Sequence, residues 1–101
     1  MHFLVIVASE RRNGNSDLLG RFAVRYALKS GMDSGEVIYL KDFRIEECRG
    51  CLNCLKDDHE CSIDDDLYRL LDILRDADRL LLVAPVYMLS IPGKLKVLMD
   101  R

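Results

Sequence analysis

No apolar run in this sequence is long enough to cross a bilayer. The longest, "FLVIVA" and "LLLVAPVYML", fall well short of the ~20 residues a membrane helix needs. A run of Lys and Arg is also missing, and a net charge of −2 gives no basic field for nucleic acid. No charged segment precedes a cleavable apolar one, because "FLVIVA" begins at residue 3 and "SERRNGN" follows it. The expectation is a cytoplasmic protein, engaged with neither membrane nor nucleic acid. Internal repeats, low-complexity tracts and linkers are absent. So are Walker, G-x-G-x-x-G and H-E-x-x-H patterns, which disfavours NTPase, dinucleotide-binding Rossmann and zincin chemistry. No Ser-His-Asp set stands out either, and the side chains offer little acid–base machinery.

Cysteine is missing from every part of the chain but one. "ECRGCLNCLKDDHEC" holds all four, Cys48, Cys51, Cys54 and Cys61, with 2, 2 and 6 residues between them. In a reducing compartment such a cluster favours metal or redox chemistry over disulfides. Cysteines at i, i+3 and i+6 on a tight loop can face one small cube, and Gly50 permits sharp turns between the first two. With only four thiols, the simplest count is one cluster with Cys61 as the fourth ligand. Bacterial ferredoxins differ: their fourth cysteine serves a second cluster and a proline follows it. Zinc is a rival, although zinc sites usually use two separate C-x-x-C knuckles and here Cys51 would belong to both. Disulfides, in three possible pairings, and a purely structural set also stand open at this point. His59 reads as a solvated loop residue. Asp57, Asp58, Glu60, Asp64, Asp65 and Asp66 read as a solvated face plus a helix cap. Beside a cluster, their charge would lower its potential.

What remains describes one domain. The chain has 101 residues, half of them apolar and a third charged. Residues 3–8 suit a strand buried on both faces of a parallel sheet. Leu18, Leu19, Phe22, Ala23, Tyr26 and Ala27 recur at helical spacing, with Asn15 or Ser16 to cap the helix and Gly31 to end it. "VIYL", residues 37–40, suits an edge strand. Ser62 or Asp64 can cap a second helix, whose stripe is Leu67, Leu70, Leu71 and Leu74. Residues 79–84 read as a third buried strand. Pro92 suits a first helical turn, and Leu95, Leu98 and Met99 begin another stripe. This β-α-β-loop-α-β-loop-α order predicts a parallel sheet with helices on both faces and ligands beyond the carboxyl ends of the strands. Three strands are few for such a sheet, and "LKVLMDR" stops in mid-helix. The expectation is a fragment, or an open edge covered by something else.

Two loops lie at strand carboxyl ends. "SERRNGNS" offers Ser9, Arg11, Asn13, Asn15 and Ser16 just before a helix, a combination suited to phosphate. "APVYMLSIPGKLK" places Pro85, Val86, Tyr87 and Met88 where Tyr87 and Met88 can pack on a planar ligand. Each loop alone also reads as an ordinary connection. Together, "SxRxNGNS", "APVY" and "GKLKVLMDR" resemble the flavodoxin-like NAD(P)H-dependent FMN reductase superfamily, and the cysteine segment resembles that of its iron–sulfur flavoproteins. The resemblance covers nearly the whole chain but only about the N-terminal half of the family's usual length.

The resemblance implies a flavodoxin-like three-layer parallel sheet, reduced here to its first three strands, with a cysteine-rich insertion at residues 46–62. It implies that Ser9, Arg11, Asn13, Asn15 and Ser16 hold the FMN phosphate. Pro85, Val86, Tyr87 and Met88 would lie along the ribityl chain and ring, and the four cysteines would hold a [4Fe–4S] cluster. NAD(P)H or ferredoxin would be the donor, a small molecule the acceptor, and the assembly a dimer or tetramer. The alternatives are a cluster-free FMN or quinone reductase, and a flavin-free, metal-stabilised interaction module.

Overall fold

A computed structural model describes residues 1–11, 13–56 and 61–101. Its elements are β1 (His2–Val7), α1 (Asn15–Lys29), β2 (Ser34–Tyr39), α2 (Leu67–Arg75), β3 (Arg79–Val83) and α3 (Gly93–Met99). Short 3₁₀ turns occupy Leu40–Asp42 and Asn53–Leu55. His59, read above as a solvated loop residue, and Asp57, Asp58 and Glu60, read as part of a solvated face plus a helix cap, lie outside the described residues.

The three strands form one parallel sheet in the order β2-β1-β3. β1 is therefore central, and Leu4, Val5, Ile6 and Val7 are all essentially inaccessible to water. Alternation along the strand sends these residues to opposite faces. Leu4, Ile6 and Ala8 pack with Leu40, Phe43, Leu70 of α2 and Leu95 of α3. Val5 and Val7 pack with Val83 and, from α1, with Ala23 and Val24. The result is three layers in the flavodoxin-like strand order, with the switch point between the carboxyl ends of β1 and β3.

Several local expectations differ from what the fold shows. Gly14, not Asn15 or Ser16, is the N-cap of α1. Asp66, not Ser62 or Asp64, is the N-cap of α2. Pro92 is the N-cap of α3 rather than a residue of its first turn, and Met99 is exposed. β2 starts at Ser34, and Leu40 has left it for a 3₁₀ turn. Gly31 does end α1, at φ +108°, with the Met32 N–H bonded to the Ala27 carbonyl.

The largest departure is the orientation of α1. Its buried residues are Asp17 and Gly20, whereas Leu18, Leu19, Phe22 and Tyr26 are exposed. Gly20 explains the choice. A Cβ there would meet Val5 Cγ1 and Val7 Cγ2 at 3.1 Å, tighter than ordinary contact, so glycine lets the helix approach β1 this closely without displacing either valine. β3 is likewise not a fully buried strand, since Leu80 and Leu82 stand about half exposed on its free edge. Phe22 and Tyr26 join Phe3, Met32 and Leu80 around an apolar trough of about 560 Å³. In the flavodoxin-like order a fourth strand pairs with that edge of the third, which accounts for the apolar pattern.

Gly20→Val is accordingly expected to destabilise the chain by about 1–3 kcal/mol through overpacking. Phe22→Gln, on the open side of the same helix, is expected to cost no more than about 0.5 kcal/mol. Urea midpoints measure both; equal shifts would mean that α1 packs by its apolar stripe after all.

Candidate functional site

The loops after β1 and β3 converge. Ser9, Arg11, Gly14, Asn15, Ser16, Pro85 and Tyr87 line one cavity of about 200 Å³ at the N-terminus of α1. Six of the nine residues assigned to the flavin from sequence are in that lining. Gly14, the glycine of the same loop, is there too. Asn13, Val86 and Met88 lie outside it.

The chemistry of this lining suits a phosphate. Gly14 has no side chain to cap α1, so the first N–H groups of a fifteen-residue helix are left for a ligand, at the positive end of its dipole. Ser9 is buried, and its Oγ accepts the Arg11 N–H at 3.1 Å, which folds the loop back over the strand end. The Arg11 guanidinium lies over Gly14, 3.5 Å from where a Cβ would be. The volume falls below the roughly 300–1,000 Å³ of whole-ligand pockets, so it matches the phosphate end of a nucleotide rather than all of one.

On the other wall, Tyr87 and Ser90 exchange both backbone hydrogen bonds, at 2.9 and 3.0 Å. Between them Met88 (φ 47°) and Leu89 (φ 65°) both take the left-handed conformation, as a type I′ turn requires and side-chain-bearing residues resist. The turn points Met88 and Leu89 into solvent at 97% and 98% exposure and sets Tyr87 against the cavity.

Asn13 has a different task. It is also left-handed (φ 60°), which Asn tolerates. Its N–H donates to Asp17 Oδ2 at 2.7 Å, and its Oδ1 accepts from Arg21 at 3.2 Å. Asp17 is fully buried and accepts further bonds from the Tyr39 hydroxyl (2.6 Å) and from Arg21 Nε and Nη2 (3.0 and 2.9 Å). This buried carboxylate ties the loop to α1 and β2. Sequence reasoning passed over it, because an Asp one turn into a helix looks like a solvated end; the usable signal was its i,i+4 spacing to Arg21.

The Tyr39 hydroxyl bond, followed by the Asn13 N–H and Arg21, holds the Asp17 carboxyl below its ordinary value of 3.8. A depressed folded pKa stabilises at pH values above the unfolded one and is lost as pH falls through the folded one. Asp17→Asn is expected to cost about 1–3 kcal/mol at neutral pH, because strong donors lose a charged acceptor. It should also flatten the loss of stability below about pH 4. Urea midpoints measured from pH 7 down to pH 2 test both. An unchanged acid limb would show that Asp17 is not the linked group.

Cys48, Cys51 and Cys54 are exposed and Cys61 is half-buried, and all four are free of disulfides. Gly50 and Leu52 both have positive φ (69° and 63°), so the backbone turns sharply twice within the C-x-x-C-x-x-C stretch. Gly50 N–H lies 3.5 Å from Cys48 Sγ, and Cys51 Sγ lies 3.1 Å from the Ser62 hydroxyl. That hydroxyl, with the Asn53 N–H, lowers the pKa of the Cys51 thiol. Four clustered cysteines, with N–H or O–H donors at the sulfurs of Cys48 and Cys51, are the donor chemistry of an iron–sulfur site. Among the described residues, however, no three potential ligands are gathered around one metal position.

Both ends of this segment are fastened by carboxylates. Arg44 N–H donates to Asp66 Oδ2 at 2.7 Å and Glu46 N–H to Asp65 Oδ2 at 2.8 Å. Arg44 Nη2 reaches the Asp64 carbonyl at 2.9 Å. The reading of Asp65 as part of a solvated face is therefore overturned: its side chain is fully buried and paired with Arg101. Burial works against the charged form, but bonds from Arg101 and from the N–H groups of Glu46 and Leu67 outweigh it, and the pKa falls to about 2.

The family model for NADPH-dependent FMN reductase matches residues 1–101. The chain belongs to the NADPH-dependent FMN reductase family. An iron-sulfur flavoprotein of Methanocaldococcus jannaschii is 37% identical over 101 residues, covering 100% of this chain and 51% of that protein. One from Archaeoglobus fulgidus is 44% identical over 66 residues, 65% of this chain and 32% of the relative. Of solved structures, a flavone reductase superposes with a TM-score of 0.79 at 27% identity, over 100% of this chain and 29% of its own. RosB, solved with bound 8-demethyl-8-formylriboflavin-5′-phosphate, shares the fold at a TM-score of 0.76 and 22% identity, over 99% of this chain and 41% of its own. This member of the FMN reductase family thus spans about half the length, or less, of the relatives it matches.

Proposed function

We propose that this chain is the phosphate-binding and cluster-bearing part of an FMN-dependent oxidoreductase, one that passes electrons between NAD(P)H or ferredoxin and a small-molecule acceptor. The observation that carries this reading is the convergence of the β1 and β3 loops on one phosphate-sized cavity at the uncapped start of α1. Ser9, Arg11, Asn15 and Ser16 hold the phosphate by hydroxyl, guanidinium, amide and helix N–H groups. Asn13 takes part through the backbone that Asp17 fixes. Pro85 and Tyr87 close the other side and direct the rest of the nucleotide toward the outer turn, where Val86 and Met88 are free to lie against it.

Cys48, Cys51, Cys54 and Cys61 are the ligands of a [4Fe–4S] cluster in this reading, with the loop drawing together around the metal. When bound, FMN and the cluster supply the hydride and one-electron chemistry, and the protein supplies position and electrostatics. A homodimer or homotetramer in the cytoplasm completes the proposal. The clustering of all four cysteines in one short segment accords with a reducing compartment, and among the described residues no helix is long and apolar enough to cross a membrane.

Purification without oxygen, followed by counting flavin, iron and acid-labile sulfide per chain, tests this reading. About one FMN with four irons and four sulfides is the expected result. Flavin without iron would leave a cluster-free FMN or quinone reductase. Zinc without flavin would leave a metal-stabilised interaction module. Ser9→Ala with Arg11→Ala is expected to weaken FMN binding at least about tenfold, because charge-assisted bonds to the phosphate are lost. Flavin fluorescence quenching measures it, and an unchanged Kd would remove the loop from the site.

A further inference from the structure

We propose that Arg101 positions the Cys61 sulfur and tunes its electronics as a cluster ligand; this rests on the [4Fe–4S] reading of the cysteine segment. Arg101 follows the last turn of α3, yet its side chain is only 1% exposed. One arm of the guanidinium, Nη1, pairs with buried Asp65 and donates to the Glu46 carbonyl at 2.9 Å. The other, Nη2, donates to Cys61 Sγ at 3.2 Å. One planar group thereby touches both ends of the segment, two residues before Cys48 and at Cys61 itself. Nε is buried with no partner among the described residues.

A simple staple would need only the arm on Asp65 and Glu46. The second arm does something a staple does not, because it places a cationic N–H donor directly on a ligand sulfur. Only a forked guanidinium can serve both directions at once; a Lys ammonium is a point charge on a flexible stem. Hydrogen bonds to the sulfurs are among the determinants of cluster potential, and second-shell donors orient the ligands they touch. Reduction adds negative charge to the cluster. A positive donor on Cys61 favours the reduced form and raises the potential, offsetting the acidic residues around the segment.

The route of the chain gives this contact reach. α3 begins three residues after the Tyr87–Ser90 turn that walls the phosphate cavity, and Arg101 follows its end. One short helix therefore connects the wall of the cavity to the fourth cysteine.

The test reconstitutes the full chain anaerobically with ferrous iron and sulfide, comparing wild type with Arg101→Lys and with the paired Asp65→Asn/Arg101→Gln. The pair removes both charges together, so no unpaired charge is left buried. Three quantities are read: iron and sulfide per chain, the cluster midpoint potential by EPR-monitored titration, and the rate of iron loss to a chelator. The paired variant is expected to have a lower potential than wild type and to lose iron several-fold faster. Arg101→Lys should recover part of the potential. Failure of the pair to load iron while FMN affinity is unchanged would also support a positioning role. If the pair does not fold, Arg101→Lys decides by the same readouts.

A loaded variant with wild-type potential and wild-type iron loss would overturn the proposal, leaving Arg101 as a staple alone. Wild-type protein that binds FMN but takes up no iron would instead overturn the cluster reading, and this inference with it.

Discussion

Everything in this chain is arranged around the burial of β1. A strand with a neighbour on each side and a layer on each face has all its backbone and side-chain surface committed. Leu4 and Ile6 face α2 and α3, and Val5 and Val7 face α1. Residues 8–16 must therefore emerge at one place, over the end of the sheet, with α1 starting immediately beyond. Gly20 keeps the helix pressed against the two valines, and the start of α1 inherits its position from that contact. The cavity at Ser9 and Asn15 is a consequence of how tightly β1 is enclosed.

Two buried carboxylates extend this order to the loops. Asp17 gathers the Asn13 N–H, Tyr39 and Arg21, and so fixes the loop that precedes its own helix. Asp65 gathers Glu46, Leu67 and Arg101, and so closes the base of the cysteine segment just ahead of α2. Each is held ionised by donors that outweigh the cost of burial, and each sits near a helix start, where negative charge is favoured. The flanks of both loops are consequently tied down by hydrogen bonds, while Cys48, Cys51 and Cys54 stay exposed.

The α1 stripe and the β3 edge show a different constraint. Phe22, Tyr26, Leu80 and Leu82 carry the apolar pattern of elements enclosed by a wider sheet, yet within this chain all four are exposed, and Phe22, Tyr26 and Leu80 border an open trough. In the 2-1-3 order the third strand has a free edge until a fourth pairs with it. The chain's share of its relatives' length agrees with that reading of the pattern.

The sequence by itself determined the strand–helix order, the parallel sheet and the family. Those depend on local periodicity, on β-branched runs and on short motifs such as "NGNS" and "APVY". It also marked six residues of the cavity lining, since loops that follow parallel strands must meet at one edge. Tertiary structure alone decided which face of α1 is buried. Periodicity reports an apolar side, but Gly20 against Val5 and Val7 wins the inner position by closeness of approach. It alone decided that Asp65 and Arg101, 36 positions apart, share a buried bond beside Cys61. Charges so distant in sequence look solvated until the fold brings them together and removes the water between them.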